Sequence, residues 1–265
     1  MVPMVEFATV LPGAVSFKEG NFSDTYRGQV LRTNNTTANV ILKDVTPKEM
    51  ANELISFVLA RLLSLPTPDL LLAQSDVGNL PATKGPTTKD GRRLVLASVD
   101  VSVPNIYFRY TNDVPGQARL LGAITVWPPL GRLYGFDAWI ANVDRHAGNI
   151  LFGSRADAWL IDHGHAFTGP AWTSQELDPK ASYRHRLKDW LTEHLTQAGR
   201  ETRAMQAGAL EAELKLINVD GVIVSSRADS LLSNEDQNSV RSFLIMRISE
   251  VARLASAALD VPVLL

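Results

Sequence analysis

Two short stretches hold most of the chain's chemistry, Asn142-Val-Asp144-Arg145-His146-Ala-Gly-Asn149 and Ile161-Asp162-His163-Gly164-His165-Ala-Phe167. Asp144, Asn149 and Asp162 carry oxygen donors or bases. The residues between the last two read as a hairpin, Asn149 to Phe152 and Ala158 to Ile161, joined by Gly153-Ser-Arg-Ala-Asp157. A hairpin returns its two ends to one place. One carboxylate at an acceptor hydroxyl, with an amide and a second carboxylate on Mg²⁺, is the arrangement that phosphoryl transfer needs. Magnesium takes few protein oxygens beside phosphates and water, so two such ligands suffice.

The elements that must position these groups belong to an ordinary globular chain. With 265 residues, 45% hydrophobic and 20% charged, it is long enough for one large core or two closely packed lobes and is not disordered or coiled-coil in composition. A formal charge of -2 offers no cationic field for nucleic acid. The absence of cysteine removes disulfides, thiolate metal sites and a Cys nucleophile. The first residues, Met-Val-Pro-Met-Val-Glu-Phe, lack the basic and unbroken apolar regions of a signal peptide, and no run approaches the roughly 20 apolar residues of a membrane helix. A cytoplasmic protein with no membrane contact is the expectation.

The first third reads as β-rich. Thr25 to Arg32 and Ala38 to Val45 form a hairpin about the turn at 34–37. Thr46-Pro47-Lys48-Glu49 then supplies an N-cap, a first-turn Pro and a capping-box Glu, opening a helix through about Ser64. That helix is apolar almost all round from Leu54 to Leu63, which implies burial between other elements. Residues 74 to 92 read as a surface loop and Leu94 to Val99 as a buried strand. Helical pattern covers 118 to 142, broken at Trp127-Pro128-Pro129. It returns from about Tyr183 to Leu259, with breaks at Asp220-Gly221 and at Ser233-Asn234. The basic stretch Tyr183-Arg-His-Arg-Leu-Lys188 reads as a helix face, either simply solvated or guiding an anionic substrate. The best division of the chain falls near residues 100 to 105.

The spacing from Asp144 to Asn149 equals the Asp-x-x-x-x-Asn of the protein-kinase catalytic loop, and Ile161-Asp-His-Gly stands where Asp-Phe-Gly would. The order Asp-Arg-His, in place of His-Arg-Asp, resembles the phosphatidylinositol 3- and 4-kinases and the HipA-like kinases. The compact size, the run Glu53 to Pro68 and Ile161 to Phe167 are most similar to the small bacterial HipA-like kinases. The resemblance covers roughly residues 15 to 170. It implies an α+β, two-lobed protein-kinase-like fold, with an N-lobe at 1–102, a C-lobe at 103–265, and ATP and Mg²⁺ between them. The implied reaction is transfer of the γ-phosphoryl group to a hydroxyl, with Ser or Thr of a protein favoured as acceptor. A phosphoinositide-type lipid acceptor, a pseudokinase serving as a nucleotide-binding interaction module, and AMP transfer are the alternatives. An antitoxin-like or regulatory partner is also compatible with the family.

Under that resemblance Asp144 addresses the acceptor, and Asn149 and Asp162 hold Mg²⁺. Lys43, closing Val40-Ile-Leu-Lys, contacts the α and β phosphates. Its carboxylate partner is Glu49 or Glu53. Glu49 is expected in the capping box, whereas Glu53 interrupts an apolar helix and needs a cation, so Glu53 is favoured. Gly20 and Ser23 fall in the phosphate-covering turn from Lys18 to Thr25, whose glycine pattern is degenerate. A Ser or Thr of this turn is itself a candidate for phosphorylation. Asp100 ends the strand that would serve as connector to adenine. His146 either bonds the transferring phosphate or orients the loop. Arg145 is expected to pair with a nearby carboxylate, and His163 and His165 read as packing residues rather than metal ligands.

Overall fold

The computed structural model describes residues 2–16, 24–103, 114–153 and 158–263. Among the described residues six strands precede residue 100: β1 (Glu6–Val10), β2 (Val15–Ser16), β3 (Asp24–Arg32), β4 (Thr37–Asp44), β5 (Leu70–Ser75) and β6 (Arg93–Val99). Helix α1 (Pro47–Leu62) lies between β4 and β5. The described remainder is mainly helical: α2 (Val114–Thr125), α3 (Leu130–Trp139), α4 (Arg186–Trp190), α5 (Gln197–Gly208), α6 (Leu210–Leu214), α7 (Val219–Ser225), α8 (Asn234–Arg247) and α9 (Val251–Ala258). A two-stranded hairpin, β7 (Ile150–Phe152) with β8 (Ala158–Leu160), interrupts it. The molecule is thus α+β, with a β-rich N-terminal region and a helical C-terminal one. Among the described residues no helix is long and apolar enough to cross a membrane.

The sheet runs β1-β5-β6-β4-β3-β2, and β1 also pairs with β3, so five strands close into a ring with β2 attached to β3. Among the described strands only the β1–β5 pair is parallel. Strand alternation sorts the side chains. Val40, Leu42, Leu71, Ala73, Val95 and Ala97 share one small cluster, while Leu72 and Leu96 belong to the large core that contains α1. Lys43 is registered opposite Leu96, and residues directly opposed share a face. Lys43 is therefore on the side of the sheet that α1 covers.

Helix α1 begins as its sequence dictates. Thr46 is the N-cap, its Oγ accepting the Glu49 amide at 3.4 Å, and Pro47 occupies the first turn. Every residue from Met50 to Ala60 is buried, because α1 is packed on more than one side. Its far side belongs to the same core as α3, α5, α8 and α9. Asn52, fully buried, donates through Nδ2 to the carbonyls of Gly164 (2.8 Å), Ala166 (3.0 Å) and Gly169 (3.0 Å), and its Oδ1 accepts Trp172 Nε1–H at 2.9 Å.

Three expectations are corrected. The Asp220-Gly221 break lies inside α7: Asn218 caps that helix by accepting the Gly221 amide at 3.1 Å, which puts Asp220 in the first turn where a negative charge is favourable. Gln74 and Ser75, read as loop, complete β5. The rest of that loop is tied down, since buried Asp44 accepts the amides of Thr83, Lys84 and Gly85 at 2.7 to 3.1 Å. The basic stretch at 183–188 is no continuous exposed helix face. Helix begins only at Arg186, and His185 and Leu187 are anchored inward, His185 stacked on Tyr134 with ring centroids 5.2 Å apart.

Candidate active site

Lys43 stands at the centre. Its Nζ lies 3.0 Å from Glu53 Oε1 and 3.1 Å from Asp162 Oδ1, which joins the sheet, α1 and the segment after β8. The other Glu53 oxygen accepts the His163 amide at 2.8 Å, so both oxygens of this buried carboxylate are engaged. Burial opposes the Lys43 charge, but Asp162 and Glu53 together lift its pKa above the usual lysine range. Loss of water likewise works against the Asp162 charge, and the Lys43 ammonium outweighs it, holding that carboxyl down to about 2. Burial raises Glu53 despite Lys43.

Asp162 has φ +59°, in the left-handed region that Asp tolerates better than most residues. The turn that follows is tight. A Cβ on Gly164 would lie 3.0 Å from Glu49 Cγ, so a side chain here would require the Glu49 side chain to give way by a few tenths of an ångström. Glu49 is thus corrected: among the described residues its carboxylate makes no return bond to Thr46 and lies instead against Gly164. Burial, followed by the nearby Glu53, raises its pKa.

The loop from Asn142 to Asn149 is held by a carboxylate the sequence reading passed over. Asp137, 1% exposed on α3, receives Arg145 Nε at 3.0 Å and Nη2 at 3.2 Å. Arg145, itself fully buried, donates through Nη1 to the carbonyls of Ile161 (2.8 Å) and Asn149 (3.3 Å). The Ile161 amide in turn donates to the Asn149 carbonyl at 3.1 Å. Hairpin β7–β8 therefore brings Asn149 beside Asp162, with Arg145 clamping the backbone at both places. The signal for Asp137 was present: a lone carboxylate in the apolar helix Leu130-Gly-Arg-Leu-Tyr-Gly-Phe-Asp-Ala-Trp139 needs a cation, by the argument that selects Glu53.

Asn149 Nδ2 donates to the Asp144 carbonyl at 2.9 Å, and among the described residues its Oδ1 takes no hydrogen bond. Asp144 has its amide on Asn142 Oδ1 at 3.1 Å and its Oδ1 on the Arg186 guanidinium. Its Oδ2 lies 3.9 Å from His146 Nε2. His146 Nδ1 accepts the Gly148 amide at 3.0 Å, which leaves the ring proton on Nε2, towards Asp144. Burial keeps the His146 pKa below its ordinary value.

His163 is buried with its ring edge-on to Phe136 at 6.0 Å, and burial, then Arg145, push its pKa well below the usual range. His165 contributes its carbonyl, which accepts the Val143 amide at 3.2 Å. The Asp100 amide donates to the Asn39 carbonyl at 2.9 Å, and its carboxylate accepts the Ser102 amide at 2.8 Å. An adenine base at this edge would have to use other backbone groups. Gly20 and Ser23 lie outside the described residues. Thr25, read as part of the phosphate turn, is a buried strand residue registered opposite Lys43.

The site suits Mg²⁺ on two counts. Glu53 and Asp162 both bind the one Lys43 ammonium and Glu49 lies within reach of their charges, an excess of carboxylate that a divalent cation offsets. The Asn149 Oδ1 and the second Asp162 oxygen are hard donors of the kind Mg²⁺ prefers. Among the described residues no group of three or more His, Cys, Asp or Glu side chains is gathered as a metal cage.

A search of curated proteins finds no match. A family model described as HipA-like kinase matches residues 34–217, more than half of the chain, from the β3–β4 turn through the loop clamped by Arg145 to the end of α6. The chain therefore belongs to the HipA-like kinase family, whose chemistry is that of a kinase-type phosphotransferase.

Proposed function

We propose that the protein binds ATP with Mg²⁺ and transfers the γ-phosphoryl group to a Ser or Thr hydroxyl of a protein, as a cytoplasmic enzyme. Residues 1–102 and 103–265 would act as its two lobes. The observation that carries this reading is the bridge from Lys43 to Glu53 and Asp162 at 3.0 and 3.1 Å. A lysine held between a helix carboxylate and the metal-side carboxylate is what positioning of nucleotide phosphates requires. Asn149 and Asp162 are the residues that would hold Mg²⁺, which supplies charge neutralisation at the phosphates. Lys43 donates to phosphate oxygens, Glu53 keeps its ammonium in place, and Asp144 orients the acceptor hydroxyl and receives its proton. Arg145 and Asn52 keep the parts in register, so that the chain contributes mainly preorganisation.

The test is incubation of the purified protein with γ-labelled ATP and Mg²⁺ against separated protein and lipid fractions of a cell lysate, with Asp144→Asn as the blank. Label on Ser or Thr of protein, dependent on Asp144, is the expected result. Label confined to lipid would replace the acceptor, and nucleotide binding without transfer to any fraction would make the chain a binding module.

A further inference from the structure

Helix α4 touches the candidate catalytic loop twice within five residues. Trp190 Nε1–H donates to the Arg145 carbonyl at 3.0 Å, and Arg186 Nη1 donates to Asp144 Oδ1. The rest of the segment is fixed from below: His185 is stacked on Tyr134 with its Nε2 2.9 Å from the Tyr134 carbonyl, and Leu187 is fully buried. The Arg186 backbone is therefore anchored on both flanks while its guanidinium reaches Asp144, the two side chains being about one-third exposed. The other cations of the stretch point elsewhere, Arg184 pairing with Asp189 and Lys188 with Asp260. Of the arginines on the loop side, Arg145 is consumed by Asp137 and backbone carbonyls.

A guanidinium carries five donors in a planar fork. Arg186 uses one on Asp144, and among the described residues its Nε and Nη2 donate no hydrogen bond. If Asp144 addresses the acceptor hydroxyl, these free donors border the acceptor rather than the nucleotide. We propose that Arg186 is an acceptor-side anion subsite, which selects Ser or Thr hydroxyls flanked by a carboxylate. A guanidinium bridges two carboxylates readily, so the acidic flank binds Arg186 while Asp144 Oδ2 remains for the hydroxyl. This inference rests on the protein-kinase reading proposed above and adds the substrate's charge to it.

The experiment is phosphorylation of a Ser/Thr peptide library in which each position around the acceptor is fixed in turn as Asp, Ala or Lys. The full chain is assayed as wild type, Arg186→Gln, Arg186→Glu and Arg184→Gln, with Asp144→Asn as blank. The wild type should favour an acidic flank by about tenfold, the size of one charge-assisted hydrogen bond. Arg186→Gln should erase that preference, Arg186→Glu should turn it towards Lys, and Arg184→Gln should keep it. Phosphorylation without an acidic preference, or a preference that survives Arg186→Gln, overturns the subsite and leaves the kinase reading intact. Incorporation no higher than the Asp144→Asn blank with every peptide overturns the protein-acceptor reading and the subsite with it.

Discussion

The proposed nucleotide side and the proposed acceptor side of the site are built to different standards. Around Lys43 both Glu53 oxygens and one Asp162 oxygen are bonded, and Asn52 ties α1 to the segment that follows Asp162 with four hydrogen bonds. Around Asp144 the charges are partly exposed, one carboxylate oxygen has a single arginine, and that arginine has donors to spare. On the proposed reading, preorganisation is thus concentrated where every reaction cycle would present the same phosphates, and adaptability is left where the acceptor would vary. The same chain separates the two by only the Asn149-to-Asp162 hairpin, clamped at its base by Arg145.

The largest expected effect separates the two sides outright. Asp162→Asn and Asp144→Asn should each lower phosphoryl transfer by about 10³-fold or more. Calorimetry with ATP and Mg²⁺ should nonetheless find metal-dependent binding lost only in Asp162→Asn. Equal loss of binding in both would erase the distinction. Next, Lys43→Met and Glu53→Gln should each reduce activity by about 10²-fold, and the double variant should lose far less than the product of the two, because the pair acts as one unit. Independent effects in the double-mutant cycle would detach Glu53 from the nucleotide side.

Asn52→Ala sharpens the comparison through stability. It removes the Asn52 bonds to the Gly164 and Gly169 carbonyls and to the Trp172 indole, and one of the two donors to the Ala166 carbonyl, so urea unfolding should show a loss of about 2 kcal/mol or more. Transfer should fall further than the unfolded fraction accounts for, since α1 then no longer holds Glu53 against His163. The smallest effect belongs to the anchor beneath the acceptor side. His185 is partly buried beside the Tyr134 carbonyl, and that burial lowers its pKa from the ordinary 6.5. The folded protein then resists taking up a proton that the unfolded chain accepts, so stability falls as pH drops below about 6.5, by at most about 1.4 kcal/mol per pH unit for this group. His163, depressed in the same direction, contributes with the same sign. His185→Phe should retain the stacking and make the loss between pH 7 and 5.5 smaller in urea titrations; an unchanged pH slope would show that the fold does not depress the His185 pKa.

Much of this was legible in the chain because local rules and tertiary demands coincide. Thr46-Pro47 starts α1 where capping chemistry says, and the all-round apolar run from Leu54 predicts the burial that the helix has on more than one side. That Lys43 lies on the strand face opposite Leu42 follows from alternation once the strand is granted. What stayed hidden depends on partners distant in sequence. Leu70-Leu-Leu-Ala has no period that distinguishes a strand from a helix end, and only pairing with β1 and β6 decides it. Glu49 satisfies the capping-box pattern, yet its carboxylate lies against Gly164, because a local bond at a solvated helix end competes with packing against a whole segment. Arg186 reads as one more solvated cation until His185 and Leu187 are seen to anchor its backbone beside Asp144.

The closed ring of strands also dictates an order of events in folding. Strand β1 pairs with β3, but its parallel partner β5 lies more than 60 residues further on, with Glu6 opposite Leu71. A chain emerging from the ribosome can form the β3–β4 hairpin and nucleate α1 early, while one edge of β1 must wait for β5. Closing that long loop is entropically expensive before it is rewarded, which makes it a natural slow step. The Val5 amide donates to the Ser225 carbonyl, and the Arg227 guanidinium lies over the Phe7 ring, so the last of β1's contacts form only when α7 has been made. Strand β1, made before β5 and α7, is therefore among the last to be secured, and until then it is an unpaired apolar edge that a second nascent chain can capture.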